Sequence, residues 1–352
     1  MSTNRQIKNR VRTFRVEHGW SQDDLARRAG VSRAAVSAIE IERLTPSVEA
    51  ALGLAAAFQC RVEDLFELTD ATPREPVWAW PPPVEPCRYW KARVRDRIVV
   101  IPAEATATGT TPHDGFFSQG MFHDHGDSLS ETTLVMASCD PAAGLLCAEY
   151  VRSSGFRLLV LPRSSRQGLD LLGRGLVDVA GIHLASATDD AGNAREAASN
   201  LPAGFSLLKV ARWQEGVTLA KGVAADSVTA AVKAKLRWVG RELGSGAREC
   251  QDAILGRRPA PTRLAGDHRG VAEAVRRGWA DVGVCVRLVA EEAGLKFLHV
   301  RDDAYDLCFP TALEIDPRLQ ALIRVVRSTP FRERLSELPG YDVARGGDVA
   351  PL

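Results

Sequence analysis

The stretch Thr132–His183, TTLVMASCDPAAGLLCAEYVRSSGFRLLVLPRSSRQGLDLLGRGLVDVAGIH, decides how most of this chain folds. Apolar runs of strand length at Leu134–Ser138, Arg157–Leu161 and Val177–His183 alternate in it with helical patterns at Ala143–Ser153 and Arg166–Arg174. Such a β-α-β-α-β order predicts a parallel sheet with helices on its faces. The texture returns after Gly216, with a strand at Arg237–Arg241, a helix from about Ala247, another at Gly270–Arg277 and a strand at Asp281–Val286. Two similar α/β lobes are expected, lobe I over about 132–212 plus 305–345 and lobe II over about 213–304.

Upstream the pattern changes. Residues 1–68 form one domain whose stretch 4–68 reads as five short helices separated by turn signals. The prolines of Asp70-Ala71-Thr72-Pro73 and Trp80-Pro81-Pro82-Pro83 mark a stiff linker over 69–87, because each fixes φ and extends its predecessor. Residues 88–131 hold two candidate strands, Tyr89–Val94 and Arg97–Ile101, and then a Gly-, His- and Asp-rich stretch through Asp127; they read as a small β-containing connecting subdomain.

With 352 residues, 45% hydrophobic and 25% charged, the chain has the make-up of a multidomain globular protein, which excludes fibrous and largely disordered classes. Its net charge of +1 gives no bulk reason to bind nucleic acid. The first 43 residues, however, carry nine basic against five acidic side chains, a local +4 that leaves −3 for the remainder. Seven cysteines form no C-x-x-C pair, and most sit inside apolar runs such as Val284-Cys285-Val286, as expected in a reducing cytoplasm. The polar, basic start and the lack of any run of about 18 apolar residues predict neither a secretion signal nor a membrane span, hence a cytoplasmic protein without a membrane partner.

Within the first domain, Ser21 stands three residues before Asp24 as a capping box, Gly30 ends the helix so begun, and Ser32 caps the next. Val31, Val36 and Ile39 supply the apolar positions that fix two helices across a tight turn. Trp20–Arg43 (WSQDDLARRAGVSRAAVSAIEIER), followed by Pro46-Ser47 and a helix at Val48–Phe58, resembles the Cro/repressor (XRE-like) helix-turn-helix domain over essentially all of 4–68. The resemblance implies a double-stranded DNA operator as partner. Ser32–Ile41 is then the recognition helix, with Ser32, Arg33, Ala34 and Ser37 at its reading end and Gln22 and Arg43 holding phosphates. Ile41-Glu42 departs from the family, where a turn with Gly or Asn is usual. A single small domain with a modest basic patch binds weakly, so a homodimer or higher homo-oligomer reading half-sites about 34 Å apart is expected. Dimerisation alone, with the arginines as a solvated face, is the alternative role.

In Leu236–Cys250 (LRWVGRELGSGAREC) a strand runs through Gly244-Ser245-Gly246 straight into a helix, so backbone N–H groups and the Ser245 hydroxyl converge at a positive helix end beside Ala247 and Arg248. Ser138-Cys139-Asp140-Pro141 and Pro162–Gln167 lie where strands of the other lobe give way to helices, the place where open α/β sheets bind ligands. SCDPAAGLL, the SSRQGLDLLGRGLVDVAGIHL run, RWQEGV, RWVGRELGSGAR, the HRGVAEAVRRGWADVGVCV run and AYDLCFP resemble, in order, the regulator-linked relatives of type II periplasmic binding proteins, a molybdate-binding-like group, from about Thr132 to Asp342. That resemblance implies a hinged two-lobed domain with crossings near Arg212–Gly216 and Asp303–Asp306, and a helix at Pro317–Leu338 returning to lobe I. It also implies a small ligand touching Ser138, Asp140, Ser165, Arg166, His183, Arg212, Gly244, Ser245, Gly246, Ala247, Arg248, His268 and Tyr305. Each has a plainer reading: Ser138, Ser164 and Ser165 as caps, His183 as a core histidine, Asp140 as the support of its own turn. If Asp140 faces the ligand, a zwitterion or hydroxyl acid suits it better than a bare oxyanion such as molybdate. No cofactor is expected; His113, His123 and His125 read as a solvated loop without the helical spacing of a metal pair, the alternative being that His123 and His125 share one ion if a strand presents both on one face.

The expected whole is an all-α five-helix helix-turn-helix domain followed by a two-lobed α/β domain: a ligand sensor joined to a DNA reader. Two rivals stand beside it. One is an enzyme using Ser245 with His268, or Cys139 as a thiol; no G-x-S-x-G elbow, metal triad or Walker loop supports catalysis. The other keeps the DNA reader and makes the lobes a protein-interaction or oligomerisation module.

Overall fold

Short-range capping lays out the first part of the chain. In the computed structural model, which describes residues 6–41, 43–69, 76–104, 106, 109–126, 129–186, 188–189 and 191–352, helices span Val11–Glu17, Gln22–Ala29, Arg33–Glu40, Val48–Phe58 and Val62–Leu65. Ser21 Oγ accepts from the Asp24 amide and Asp24 returns the bond to the Ser21 amide, both at 3.1 Å. Gly30 closes that helix at φ 68°, a left-handed conformation costly to a residue with a Cβ. Ser32 and Ser47 then cap the third and fourth helices. Val11, Leu25, Val36, Ile39, Leu54 and Leu65 fill the core, and Trp20 stacks on Phe58 with ring centres 5.4 Å apart. The structure adds one element to the five helices: Gln6–Asn9 pairs antiparallel with Phe66–Thr69. Four-residue strands with partners some sixty positions away leave no local signal to read. Glu42, Asp70–Pro73 and Asp127 lie outside the described residues.

The chain divides into two units, Met1–Glu75 and Pro76–Leu352. The second begins with a five-stranded sheet ordered Val77–Trp78, Arg97–Pro102, Cys87–Val94, Gly115–Ser118, Met121–Asp124. Part of the stretch read as linker is thus in the sheet: Val77-Trp78 pairs in parallel with Val99-Val100, and Ala79 is buried. Two good strand formers precede the prolines, which follow the pairing and do not interrupt it. Trp90, Ala92, Val94, Val99 and Ile101 of this sheet share one core with Val135, Ala137, Leu159, Leu161, Leu169 and Leu172 of lobe I. Arg157 pins the two together, donating to both Asp114 oxygens at 2.6 Å and to the Lys91 carbonyl at 2.9 Å. The sheet is therefore a layer of lobe I as much as a connector.

The main sheet has ten strands. Arg157–Pro162, Thr133–Ser138 and Val179–Ile182 run parallel in lobe I; Arg263–Ala265, Trp238–Arg241 and Val282–Val286 run parallel in lobe II. Two fifteen-residue strands, Phe205–Leu219 and Lys296–Pro310, pass antiparallel through both lobes with Arg212 opposite Ala304, so both crossings lie in one ribbon. Its register shifts between Lys209 and Ala211 and between Glu215 and Gly216. Tyr341–Asp342 and Val349–Pro351 pair along the first long strand. The expected helix Pro317–Leu338 is two helices, Pro317–Arg327 and Thr329–Ser336, because extended Ser328 caps the second and Pro330 sits in its first turn. The first does return to lobe I, where Tyr150 Oη donates to the Arg318 carbonyl at 3.0 Å.

Candidate functional site

On the helix Arg33–Glu40, expected to read DNA, and its cap, Ser32, Arg33 and Ala34 are exposed and Ser37 is half-buried. Arg33 lies 3.5 Å from Asp23, a solvated pair that a phosphate or base edge can replace. Gln22 is not loose: its amide donates to Glu40 Oε2 at 2.9 Å, and Glu40 also takes two bonds from Arg15 at 2.6 and 3.0 Å. That triad fixes the start of the second helix against the end of the third. Arg43 is exposed, its amide bonded to the Ala38 carbonyl.

Between the lobes, strand ends and helix starts converge as the sheet topology dictates. Ser138 ends one strand and Cys139 follows it; His183 follows the neighbouring strand; Ser245 caps the helix Gly246–Leu255 and Asp267 caps the helix that His268 opens. The lobes touch directly. The Arg166 amide donates to the Gly244 carbonyl at 3.3 Å, and a Cβ on Gly246 would stand 2.2 Å from the His183 carbonyl oxygen, so only glycine permits this approach. Rings fill the space beside it: Trp213 stacks on Tyr305 at 4.7 Å and meets His183 edge-on at 4.9 Å, and His183 lies 5.5 Å from His268.

Of the residues expected at a ligand, Ser138, Asp140, Ser165, His183, Ser245, Gly246, Ala247, His268 and Tyr305 are gathered and buried here. Several already have work to do. Ser138 Oγ and Tyr305 Oη share a bond of 2.6 Å, and Ser165 Oγ accepts from the His183 amide. Asp140 holds its own turn through the Ala142 amide and accepts from Tyr341 Oη at 2.6 Å. Ser245 Oγ accepts from the Arg248 amide and donates to the Glu242 carbonyl. Three residues point elsewhere. Arg248 closes on both Asp252 oxygens at 2.8 Å, the i,i+4 partner on its own helix. Arg166 is a clasp at the rim, 3.0 Å from Glu249 of lobe II and 3.2 Å from Glu196. Arg212 lines a separate depression with Lys209, Asp306, Asp342 and Arg345. Alternate strand residues face opposite ways, so the inward neighbours are Trp213 and Glu215.

Sequence reasoning passed over Trp213, Glu215, Arg241, Arg301, Asp303 and Tyr341. Arg301 bridges Glu215 Oε2 at 3.0 Å, Asp303 Oδ2 at 3.1 Å and the Gly246 carbonyl at 3.3 Å. The period-two alternation of RWQEGV and of Arg301-Asp302-Asp303-Ala304-Tyr305 carried a usable signal, since every second residue had to face one side. Burial pushes the Glu215 carboxyl up to about 8, with Asp303 adding to the rise, so the two acids hold a proton between them near neutrality. Burial likewise raises Asp140 to about 6 against the pull of Tyr341 and the Ala142 amide. It drives His268 well below the usual imidazole range, with Arg241 adding to the fall. Several buried polar atoms here lack a hydrogen-bond partner within the chain: both ring nitrogens of His183 and of His268, Trp213 Nε1 and one terminal nitrogen of Arg241.

In the other histidine cluster, His123 stacks on Phe116 with ring centres 4.5 Å apart, His125 lies 5.9 Å from the same ring, and His113 and His125 face each other with Nε2 atoms 3.3 Å apart.

Residues 148–327, just over half the chain, match the model of the PBP superfamily domain, and residues 11–65 match a helix-turn-helix model. The chain belongs to the PBP superfamily. It joins that PBP-superfamily domain to a helix-turn-helix domain of the kind found in HTH-type transcriptional regulators. An uncharacterized HTH-type transcriptional regulator of Archaeoglobus fulgidus is 35% identical over 72 residues, 20% of this chain and 97% of that protein. The uncharacterized protein YvgK of Bacillus subtilis is 30% identical over 124 residues, 33% of this chain; the chain spans only 40% of YvgK. Among solved structures, the tungstate ABC transporter of Geobacter sulfurreducens aligns with a TM-score of 0.45 and 16% identity over 58% of this chain and 98% of that one. No helix among the described residues is long and apolar enough to cross a membrane.

Proposed function

We propose that this protein is a DNA-binding transcriptional regulator whose operator affinity is set by a small polar ligand gripped between the two lobes of its PBP-superfamily domain. One observation carries the ligand half: where the lobes meet, two imidazoles, an indole N–H and a guanidinium nitrogen are buried without hydrogen-bond partners in the chain. Each such atom costs about 1–3 kcal/mol, a penalty that a bound guest removes. An apolar contact surface for another protein would not gather them, which counts against the interaction-module alternative. The helix-turn-helix half rests on the family match over residues 11–65 and on the solvent-facing Arg33, Ala34 and Arg43. The working form is a homodimer or higher homo-oligomer, because one domain reading one half-site holds DNA too weakly.

Coupling is linkage: a ligand that binds the closed lobes better than the open ones shifts the population, and operator affinity changes by the ratio of its two affinities. The test begins with selection of duplexes from a random pool by the full-length chain, and native mass spectrometry of freshly purified protein for subunit number and retained compound. A selected site with two-fold symmetry and half-sites about 10 base pairs apart or a multiple is expected. Anisotropy titrations of that site with and without the retained compound should give different dissociation constants. Identical constants with the lobes saturated reject the coupling, and the absence of any enriched sequence rejects the reader.

A further inference from the structure

The same interface places a thiol beside the two orphaned imidazoles. The Sγ of Cys139 and one nitrogen each of His183 and His268 all lie within 4.8 Å of one another, and all three residues are buried. Three atoms so spaced have a common point within about 2.8 Å of each, and shifts of up to about 0.8 Å bring them to the ~2.0–2.3 Å of zinc–nitrogen and zinc–sulfur bonds. We propose that Cys139, His183 and His268 form a binding site for a borderline-soft divalent transition-metal ion of the Zn²⁺ type. The inference rests on the ligand-sensor reading and names the ligand.

The donor set decides the class. A thiolate with two imidazoles suits Zn²⁺ or Co²⁺ and disfavours Mg²⁺ and Ca²⁺, which need oxygen ligands. An oxyanion is the poorer guest. A thiol is a weak donor, and the Asp303 carboxylate stands behind His183, with Oδ2 3.6 Å from its Nδ1. That carboxylate has the place of the acid that orients a ligating imidazole through its second nitrogen. A second cluster, His183 with Glu215 and Asp303, also satisfies the spacing of a metal site. Its carboxylates, however, are already engaged by Arg301 at 2.8–3.1 Å, whereas all four imidazole nitrogens of His183 and His268 lack hydrogen-bond partners within the chain.

The ligands come from both sides of the hinge. Cys139 and His183 follow adjacent parallel strands of lobe I, and His268 opens a helix of lobe II. An ion bound to all three exists only with the lobes closed, which makes it an effector by construction. Binding releases the Cys139 proton to solvent and leaves one position of a tetrahedron for an outside ligand.

The test uses the full-length chain, reduced, stripped with EDTA and dialysed against Co²⁺ or Zn²⁺. One Co²⁺ per chain is expected, with a thiolate-to-cobalt charge-transfer band and the intense visible bands of a four-coordinate ion, all bleached by Zn²⁺. Cys139→Ser should abolish the charge-transfer band, His268→Gln should weaken Co²⁺ by about 100-fold or more, and Cys147→Ser, remote on its helix, should change neither. Circular dichroism of each variant reports folding, and Cys139→Ala serves where Cys139→Ser fails to fold. No stoichiometric Co²⁺ on the folded chain, or a charge-transfer band that survives loss of Cys139, overturns the site. If molybdate or a small carboxylic acid raises the melting temperature and Zn²⁺ does not, the metal proposal fails and the ligand-sensor reading stands. If Zn²⁺ binds through Cys139 and operator affinity stays fixed, the site stands and the regulatory reading falls.

Discussion

In the first unit the side chains expected at a partner are satisfied: exposed Arg33 faces Asp23 in water, and half-buried Gln22 is tied to Glu40. Between the lobes the corresponding side chains are dry and unsatisfied: His183, His268 and Trp213 are at most 1% exposed, with ring nitrogens that find no partner in the chain. The contrast follows from what each region would grip. DNA brings a large charged surface, so solvated arginines suffice and cost the fold nothing. A small guest offers few contacts, and each must be made where water does not compete, at a standing cost in stability. On the proposed function, affinity for a small guest would come from buried polar groups and affinity for DNA from exposed ones.

Three measurements would break or sharpen that contrast. The largest effect is expected at the interface: Trp213→Ala should lower unfolding stability by about 3–5 kcal/mol in urea titrations, and a loss under about 1 kcal/mol would mean the lobes do not rely on their aromatic filling. Next comes a pH effect within lobe I. Asp178 is buried, accepts from the Val135 amide at 2.9 Å, and burial raises its carboxyl to about 7 against the pull of Arg318. The folded chain thus binds that proton more tightly than the unfolded one, so its stabilisation is full below the ordinary carboxyl range, fades as pH rises from there to about 7 and is gone above it, a loss of at most about 4 kcal/mol. Asp178→Asn should flatten that slope in melting experiments between pH 4 and pH 8; an unchanged slope would assign it to other acids. The smallest stability effect belongs to the reader: Arg33→Ala should shift unfolding by less than about 0.5 kcal/mol. The same variant should weaken operator binding about tenfold or more, and unaltered DNA affinity would remove Arg33 from the reading face.

Sequence carried the scaffold further than the site. Capping at Ser21, Ser32 and Ser47, the stop at Gly30 and the strand–helix alternation after Thr132 are local signals, and the structure has each where its chemistry puts it. What escaped depends on distant partners. The ribbon of Gln6–Asn9 with Phe66–Thr69 is set by a pairing no window contains, and the core shared by the five-stranded sheet and lobe I needs residues from both. In the site, charge drew attention to Arg212 and Arg248. The first stands one residue off the inward face, and the second had Asp252 four positions ahead to neutralise it. Cys139, weighed from sequence only as a nucleophile, gains meaning from two histidines 44 and 129 positions further along, whose approach only the closed sheet reveals.

The two long strands do not form a pair of independent joints. Bonded to each other along nearly their whole length, with bulges near Ala211 and Gly216, they have the build of one leaf spring clamped at both ends. Rocking one lobe must twist the whole leaf, and a twisted antiparallel ribbon resists smoothly, without a point of sudden yield. If the lobes open, the strain would spread along the ribbon, and backbone amide exchange along Phe205–Leu219 should then rise most at the bulges.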